Sequence, residues 1–338
     1  MASFFSNFVN TVNSAIDTYI KPSSDIFIVN KQTLKKIKLL AEGGFSQVYL
    51  TQDENQQYFV LKRIPCKLGK EQLRHAQREV QLQRLFQHKN IVPLKNAAIV
   101  KEEDGSKVVY MVMPYYKRGT LQDILEAYHA SGQHFKERQI YRLFLDISQA
   151  LSILHTHTGP GIPMTKGDER QQEEGQGVAW SHRDIKPGNI LISDTGKPLL
   201  MDFGSAYPAR VKITTKQEAA KHQDMVEEQS SMPYRSPELM QVKVDSELTE
   251  KTDIFSLGCS VFTMAYGGSP FETYINKQGG GSLALAVLNG QFSFPTTPTY
   301  SDDLKNLISW MLTVDPQDRP SIQQVITRLD SLLRVIKE

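Results

Sequence analysis

One stretch, Ser181 to Gly204, constrains this chain more than any other. Two apolar runs, Ile190 to Ile192 and Leu199 to Met201, flank the polar, glycine-containing segment Asp194-Thr195-Gly196-Lys197. Short apolar runs on either side of such a segment are typical of a β-hairpin, here with a four-residue loop. The stretch therefore predicts a loop followed by a hairpin.

The register of this hairpin decides which polar side chains meet. If Ser193 lies opposite Pro198, then Asn189 lies opposite Asp202 at the open end. An amide oxygen and a carboxylate, completed by phosphate oxygens and water, are ligands that Mg²⁺ accepts. The hairpin therefore predicts a magnesium site for phosphoryl transfer.

Composition restricts the class of protein. The 338 residues are 40% hydrophobic, enough for a sizeable core. The 39 basic and 37 acidic residues nearly cancel, so no global field favours a nucleic-acid partner. Cys66 and Cys259 lack metal-ligand spacing, which favours a reducing compartment. No apolar run reaches the roughly 20 residues that a membrane span needs, and no secretory signal is evident, so we expect a cytoplasmic protein.

The segment His182 to Asn189, together with Asp202-Phe203-Gly204, resembles the catalytic loop and magnesium motif of protein kinases. The resemblance implies an α+β, bilobal protein-kinase fold, with an antiparallel N-lobe sheet carrying one helix and a mainly helical C-lobe. It implies ATP and Mg²⁺ as cofactors and protein substrates as partners. The implied catalytic residues are Asp184, which orients or deprotonates the substrate hydroxyl, and Lys186, which neutralises the γ-phosphate. The implied metal ligands are Asn189 and Asp202.

A small-residue turn lies between two predicted strands near the N-terminus. Its backbone can approach phosphates closely, although alone it is more typical of a plain hairpin turn. Against the kinase pattern Gly-x-Gly-x-x-Gly-x-Val, Ala41 and Ser46 replace the outer glycines, which bears on loop flexibility more than on nucleotide binding. The residues expected to contact the nucleotide here are Leu40, Ala41, Gly43, Gly44, Ser46 and Val48.

Lys62 stands where the strand lysine of kinases grips the α- and β-phosphates. A helical pattern around Gln72 to Phe86 carries Glu79, the candidate ion-pair partner. Taken without the other motifs, Lys62 is a solvated edge charge and Glu79 faces solvent. Beside those motifs, the pair is the favoured interpretation.

The segment after the buried strand Val108 to Met113 resembles a kinase hinge. Met113 then guards the back of the adenine pocket, although it is equally an ordinary core methionine. Backbone groups of Pro114 and Tyr116 are expected to edge the base. The expected domains are an N-terminal segment at 1–26, an N-lobe at 27–114 and a C-lobe at 115–338.

The C-lobe half is mostly helical, with an amphipathic helix predicted from Lys136 to His155. Residues 158–178 carry almost no apolar content and predict a mobile insertion, either a tolerated surface loop or a contact for regulators. The activation segment is expected at 202–238, with a helix at its middle over Gln217 to Glu228.

Further residues of the activation segment carry expected roles. Its candidate phosphorylation sites are Thr214, Thr215, Ser230 and Ser231, and Arg183 is placed to pair with a phosphate. Asp253 starts an apolar helix that resembles the central helix of the large lobe. Arg319 matches the kinase arginine that pairs with Glu238.

Residues 4–20 form a clean amphipathic pattern at about 100° per residue. The polar half is rich in Ser, Thr and Asn and nearly uncharged, as in lipid-packing sensors. We expect this helix to bind a membrane surface. The alternatives are a helix docked on its own N-lobe and a dimer contact.

Finer motifs identify the group. Leu40 to Phe45, the helical activation segment, Tyr116 to Leu121, Pro233 to Glu238 and Ala284 to Val287 resemble the numb-associated kinase group, closest to its Golgi serine/threonine kinase 16 branch. The group acts on Ser/Thr, in some members also on Tyr, around membrane traffic, which implies peripheral attachment to Golgi, endosomal or vacuolar membranes.

The start of the chain departs from that branch, which is anchored by N-myristoyl and palmitoyl groups. Met1-Ala2-Ser3 offers neither the glycine nor a nearby cysteine, so we expect no such attachment and assign the membrane role to residues 4–20. The rival classes are a pseudokinase scaffold that recruits trafficking partners and a small-molecule kinase. The presence of Lys62, Asp184 and Asp202 argues against the first. The full activation segment argues against the second.

Overall fold

The computed structural model describes residues 25–44, 46–67, 69–102, 105–159 and 178–336. The chain divides into two compact units: a first unit of Met1–Gln87 with Val92–Tyr116, and a second unit of His88–Ile91 with Lys117–Glu338. The helix predicted over residues 4–20 and nearly all of the insertion predicted at 158–178 lie outside the described residues. No helix in the described ranges is long and apolar enough to cross a bilayer.

The described part of the first unit is built on a six-stranded antiparallel sheet in the order β1-β2-β3-β4-β6-β5. Its strands are β1 Ile26–Val29, β2 Gln32–Glu42, β3 Gln47–Gln52, β4 Tyr58–Cys66, β5 Asn96–Lys101 and β6 Lys107–Pro114. The sequence did not predict β5. The single described helix of this unit, α1, spans Lys70–Leu85.

Alternation along β6 explains why the sheet has two apolar faces. Val108, Tyr110 and Val112 join one buried cluster, whereas Val109 and Met111 join another that includes residues of α1. Successive side chains of a strand point to opposite faces, so a continuous apolar run fits a strand buried on both sides. The β6 strand therefore belongs at the centre of the core.

The described part of the second unit is mainly helical. Its helices are α2 Leu121–Ala130, α3 Glu137–His155, α4 Lys216–Gln229, α5 Pro237–Met240, α6 Lys251–Tyr266, α7 Pro270–Lys277, α8 Leu283–Leu288, α9 Asp302–Met311 and α10 Ile322–Val335. The α6 helix is buried at every position from Thr252 to Ala265. A Cβ at Gly258 would come within 2.8 Å of the Met311 Cβ, so only glycine lets α6 and α9 approach this closely.

Three short antiparallel pairs complete the described strands. They are β7 Trp180–Ser181 with β10 Tyr207–Pro208, β8 Ile190–Ile192 with β9 Pro198–Leu200, and β11 Val211–Ile213 with β12 Ser246–Leu248. The predicted α+β class, with a sheet-based first half and a helical second half, is confirmed.

The predicted register of the β8–β9 hairpin is wrong by one residue. Ile192, not Ser193, faces Pro198, and Ser193 N donates to Lys197 O at 2.8 Å. The loop therefore holds three residues instead of four. Its last residue, Gly196, has a φ of 82°, and a left-handed residue after a turn is the usual way to close a three-residue hairpin loop.

Candidate active site

The carboxylate of Asp184 is the centre of the candidate site in the second unit. It is 8% exposed, and its Oδ2 lies 2.8 Å from Lys186 Nζ. Asn189 Nδ2 donates to Asp184 Oδ2 and to the Asp184 carbonyl oxygen, each at 2.8 Å. The loop thus brings an acceptor, a cation and an amide together within a few residues of sequence.

Ser231 also meets this cluster, a contact that the sequence did not predict. Its backbone N donates to Asp184 Oδ1 at 2.9 Å, and its Oγ accepts from Lys186 Nζ at 2.5 Å. The sequence singled out Ser231 only as a candidate phosphorylation site. No local signal points to the contact, because it joins residues 47 positions apart.

Asp253 holds the catalytic loop by its backbone. The Asp253 carboxylate is fully buried and accepts from His182 N and Arg183 N, each at 2.7 Å, and from His155 Nε2 at 2.9 Å. Burial acts to raise the pKa of Asp253, but the hydrogen bond and charge of His155, the charge of His182 and the backbone hydrogen bond of Arg183 together outweigh it, so the pKa lies below its ordinary value. Asp253 therefore stays ionised at neutral pH. From the sequence, Asp253 is placed only at the start of an apolar helix; a lone carboxylate in such a helix is the signal that could have indicated this role.

The two predicted metal ligands lie at the open end of the hairpin. Met201 N donates to Asn189 O at 3.0 Å, which places Asp202 one residue beyond the residue facing Asn189. Asp202 has a φ of 66°, and its Oδ1 accepts from Gly204 N at 3.2 Å. Positive φ at a residue other than glycine is a strained conformation found most often at functional sites.

His182 and Phe203 fix this end of the hairpin. His182 Nε2 lies 3.0 Å from Met201 O, and the rings of His182 and Phe203 are 5.4 Å apart. Phe203 is fully buried. The backbone on both sides of Asp202 is therefore anchored in the core of the second unit.

The donor set at Asn189 and Asp202 fits magnesium. Because the Asn189 amide nitrogen donates to Asp184, the amide oxygen is the group that would ligate a cation. The described residues bring together no group of three or more His, Cys, Asp or Glu that could hold a metal. Mg²⁺ normally takes one or two protein oxygens and completes its shell with phosphate and water, so two ligands suffice.

In the first unit, Lys62 and Glu79 form the predicted ion pair. Lys62 Nζ lies 2.7 Å from Glu79 Oε1, and the two side chains are 13% and 5% exposed. Lys62 is in β4, opposite Val48 of β3 and Met111 of β6, whereas Glu79 is on α1. The pair therefore ties the helix to the sheet.

The predicted phosphate-binding turn joins β2 and β3. Ala41 pairs with Val48, a register shift falls between Leu39 and Ala41, and Gly43 N donates to Ser46 O at 2.9 Å. A Cβ added at Gly43 or Gly44 would meet no described atom closer than 4.0 Å. Phe45 lies outside the described residues. The space over the glycines is thus left for an approaching group.

The predicted adenine-edge residues lie at and after the end of β6. Met113 pairs with Val60 and Pro114 with Phe59 of β4. Tyr116 follows the strand as the last residue of the first unit. The hinge-like segment therefore begins where β6 ends.

The predicted helix in the activation segment is present as α4. Thr215 caps it: Thr215 Oγ1 accepts from Glu218 N and Glu218 Oε2 accepts from Thr215 N, each at 3.1 Å. Thr214 also donates to Glu218 through its backbone and hydroxyl, and these hydrogen bonds lower the pKa of Glu218. Such a reciprocal cap satisfies otherwise unpaired amides at a helix start.

The other end of α4 is held by Arg235. Its Nη2 donates to Ser230 O at 2.9 Å, and its Nε donates to Ser230 Oγ at 3.0 Å.

Arg183, which the sequence suggested as a partner for a phosphate group, is 5% exposed. It lies 4.5 Å over the Tyr207 ring and donates to Pro208 O. The segment is therefore ordered by contacts within the second unit.

Arg319 and Glu238 form the predicted buried pair. The guanidinium donates to Glu238 Oε1 at 2.7 Å and to Oε2 at 3.0 Å, and it also reaches carbonyl oxygens of Thr313, Lys251 and Val314. The Arg319 side chain is 0% exposed and that of Glu238 is 14% exposed. This two-pronged geometry fixes the end of the activation segment.

Comparison with known proteins agrees with this geometry. The protein kinase domain model matches residues 34–329. Serine/threonine-protein kinase 16 of Mus musculus is 37% identical, over 91% of this chain and 92% of its own length. Serine/threonine-protein kinase ppk13 of Schizosaccharomyces pombe is 32% identical over 98% of both chains. Serine/threonine-protein kinase ENV7 of Saccharomyces cerevisiae is 31% identical, over 90% of this chain and 93% of its own length.

Proposed function

The chain belongs to the protein kinase family, as a serine/threonine kinase of the branch that includes serine/threonine-protein kinase 16, and we propose that it transfers the γ-phosphate of ATP in a magnesium-dependent reaction. The acceptors are serine and threonine hydroxyls of protein substrates, and tyrosine is a further acceptor to test. The observation that carries the proposal is the contact of Asp184 with both Lys186 and Asn189 at 2.8 Å.

In the proposed reaction the substrate hydroxyl oxygen bonds to the γ-phosphorus while the bond to the ADP oxygen breaks. Asp184 orients the hydroxyl and accepts its proton, and Lys186 neutralises charge on the transferred phosphoryl group. Lys62, held by Glu79, binds the α- and β-phosphates. Bound Mg²⁺, held by Asn189 and Asp202, would supply charge neutralisation on the phosphates. These residues act mainly by positioning and electrostatic stabilisation.

The cofactor requirement is tested with the purified full chain, γ-labelled ATP and a dephosphorylated protein acceptor. We expect transfer that stops with EDTA and returns with Mg²⁺, because Asn189 and Asp202 supply only oxygen ligands and the cation itself supplies the positive charge beside the phosphates. The isosteric Asp202→Asn variant changes one of the two metal ligands. It should lose transfer while its thermal unfolding stays close to wild type. Transfer that persists in EDTA would contradict the proposal, and phosphoamino-acid analysis identifies the acceptor.

We also propose that this kinase acts in membrane trafficking, at the surface of Golgi, endosomal or vacuolar membranes. The support is the resemblance of its motifs to the numb-associated group and the amphipathic pattern of residues 4–20. That helix would lie in the membrane surface with its nearly uncharged polar half toward water.

Liposome flotation tests the membrane proposal. The full chain should float with vesicles that have packing defects, and a chain lacking residues 1–21 should stay at the bottom of the gradient, because the deletion removes the apolar face. A variant with Phe8 and Val12 changed to Ser keeps the length and is the matched control for the deletion. Equal flotation of the full and shortened chains, or none by either, would remove the membrane role.

A further inference from the structure

A groove of about 970 Å³ lies on the second unit, away from the residues of the candidate active site. It is lined by α2, α3, the β8–β9 hairpin and the end of α10. Leu121, Ile192 and Pro198 are buried apolar residues of its lining, which we call its floor, and Ile336 also lines it. Nothing in the proposed phosphate transfer requires this surface.

The wall of the groove is cationic. Five basic side chains line it, and all five belong to exposed residues: Arg118, Lys136, Arg138, Arg142 and Lys197. We call this surface, with its apolar floor, the cationic groove. The formal net charge of the whole chain is only +2, so five cations at one groove are a strong local concentration.

These cations are not neutralised by the rest of the described chain. None of the five forms an ion pair with a described carboxylate. Arg138 donates to the carbonyl oxygens of Leu333 and Ile336, which carry no formal charge. The charge of the groove is therefore directed outward.

The two acidic residues of the lining, Glu137 and Asp146, cancel only part of the charge of the five basic residues. The Glu137 carboxylate accepts from Ser301 N at 3.0 Å and from the hydroxyls of Ser301 and Tyr141, all of them neutral donors, so it keeps its negative charge. Asp146 is half-buried on α3. The cationic groove therefore has a net surplus of positive charge above an apolar floor.

We propose that the cationic groove binds an acidic peptide segment of a protein partner, whose apolar side chains fill the floor while its carboxylates meet the basic wall. Charge complementarity selects such a segment and apolar burial holds it. A bilayer surface does not fit a concave floor. The aromatic rings of Tyr128 and Phe135 stack on each other at 4.4 Å, which does not favour base stacking. The inference does not depend on the proposed phosphate transfer.

Selection from a displayed library of random dodecapeptides tests this proposal with the full chain as bait. We expect enriched peptides that combine Asp or Glu with Leu, Ile, Val or Phe. The double variant Arg142→Glu with Lys197→Glu should bind an enriched peptide about tenfold more weakly or worse, because it reverses two wall charges. No enrichment, or enrichment of basic peptides, would overturn the proposal.

The matched control is Lys243→Glu with Lys277→Glu, which makes the same charge change at exposed residues outside the groove. Its affinity should stay within about twofold of wild type. If both double variants bound the peptide equally more weakly than wild type, the effect would come from the overall charge of the protein, and the assignment of the binding site to the groove would be overturned.

Two further measurements separate the remaining outcomes. An enriched peptide carrying a photoreactive residue should crosslink wild-type protein at α3 or the β8–β9 hairpin, and crosslinks elsewhere would overturn the proposal even if a variant failed to fold. Sedimentation with phosphatidylserine–phosphatidylcholine vesicles tests the membrane alternative. Binding that the groove variant alone loses, without acidic peptides in the selection, would assign the groove to anionic lipid instead.

Discussion

Replacing Asp184 by asparagine is expected to lower the rate constant for phosphate transfer by about 10²–10⁴-fold, the range that general acid–base groups contribute. Asparagine keeps the shape of the side chain but loses the charge and the proton-accepting oxygen. One of its termini becomes an amide that faces donors from Ser231, Asn189 or Lys186. That mismatch costs hydrogen bonds and some stability, but the lost charge and proton acceptor act on the transfer step itself, so the rate should fall far more than the stability.

Single-turnover transfer from ATP to a protein acceptor measures this effect, with ATP affinity recorded separately. Ser193→Ala, in the nearby hairpin loop, is the matched control and should leave the rate unchanged. If Asp184→Asn reduced the rate less than about tenfold in a protein whose Asp202→Asn variant is inactive, Asp184 would orient the substrate without accepting its proton.

The second large effect concerns stability. Replacing Glu238 by alanine is expected to lower the free energy of unfolding of the second unit by about 3–5 kcal/mol, because it leaves the Arg319 guanidinium buried without its counter-charge. Asp330→Ala breaks the exposed pair with Arg334 and should cost below about 1 kcal/mol. The difference between these two losses of stability measures how much the burial of an ion pair adds to the effect of breaking it.

Both tryptophans of the chain, Trp180 and Trp310, lie in the second unit, so urea unfolding followed by tryptophan fluorescence reports this unit directly. Adding Arg319→Leu to Glu238→Ala should restore part of the loss, since the uncompensated charge is then removed. Equal destabilisation by Glu238→Ala and Asp330→Ala would show that the buried pair contributes no more than a surface pair.

The parts of this structure that follow from local sequence were predictable. The helices around Glu79, from Lys136 to His155 and in the activation segment each have the expected position, because the signal lies within the segment itself: apolar periodicity in the first two and helix-favouring residues in the third. The pair of Lys62 and Glu79 was predictable only beside the motifs that surround it. An isolated lysine and glutamate carry no such information.

The parts of this structure that depend on distant partners or on one backbone angle were not predictable from the sequence. The β5 strand begins Asn-Ala-Ala, which has weak strand propensity, and it forms because β6 offers it an edge. The hairpin register moved by one residue because Gly196 adopts a positive φ. Ser231 reaches Asp184 only through the path of the whole activation segment, which no local pattern encodes.

The hydrogen bonds from the backbone amides of His182 and Arg183 to Asp253 link the catalytic loop to the unfolding of the second unit. Those two amides bond to a carboxylate on a helix that is buried throughout, so they can exchange with solvent only when that helix separates from the loop. The catalytic loop is then part of the slowest-opening region of the second unit. Heat should therefore release this loop only when the second unit unfolds, with no earlier loss of transfer from a loop that opens by itself.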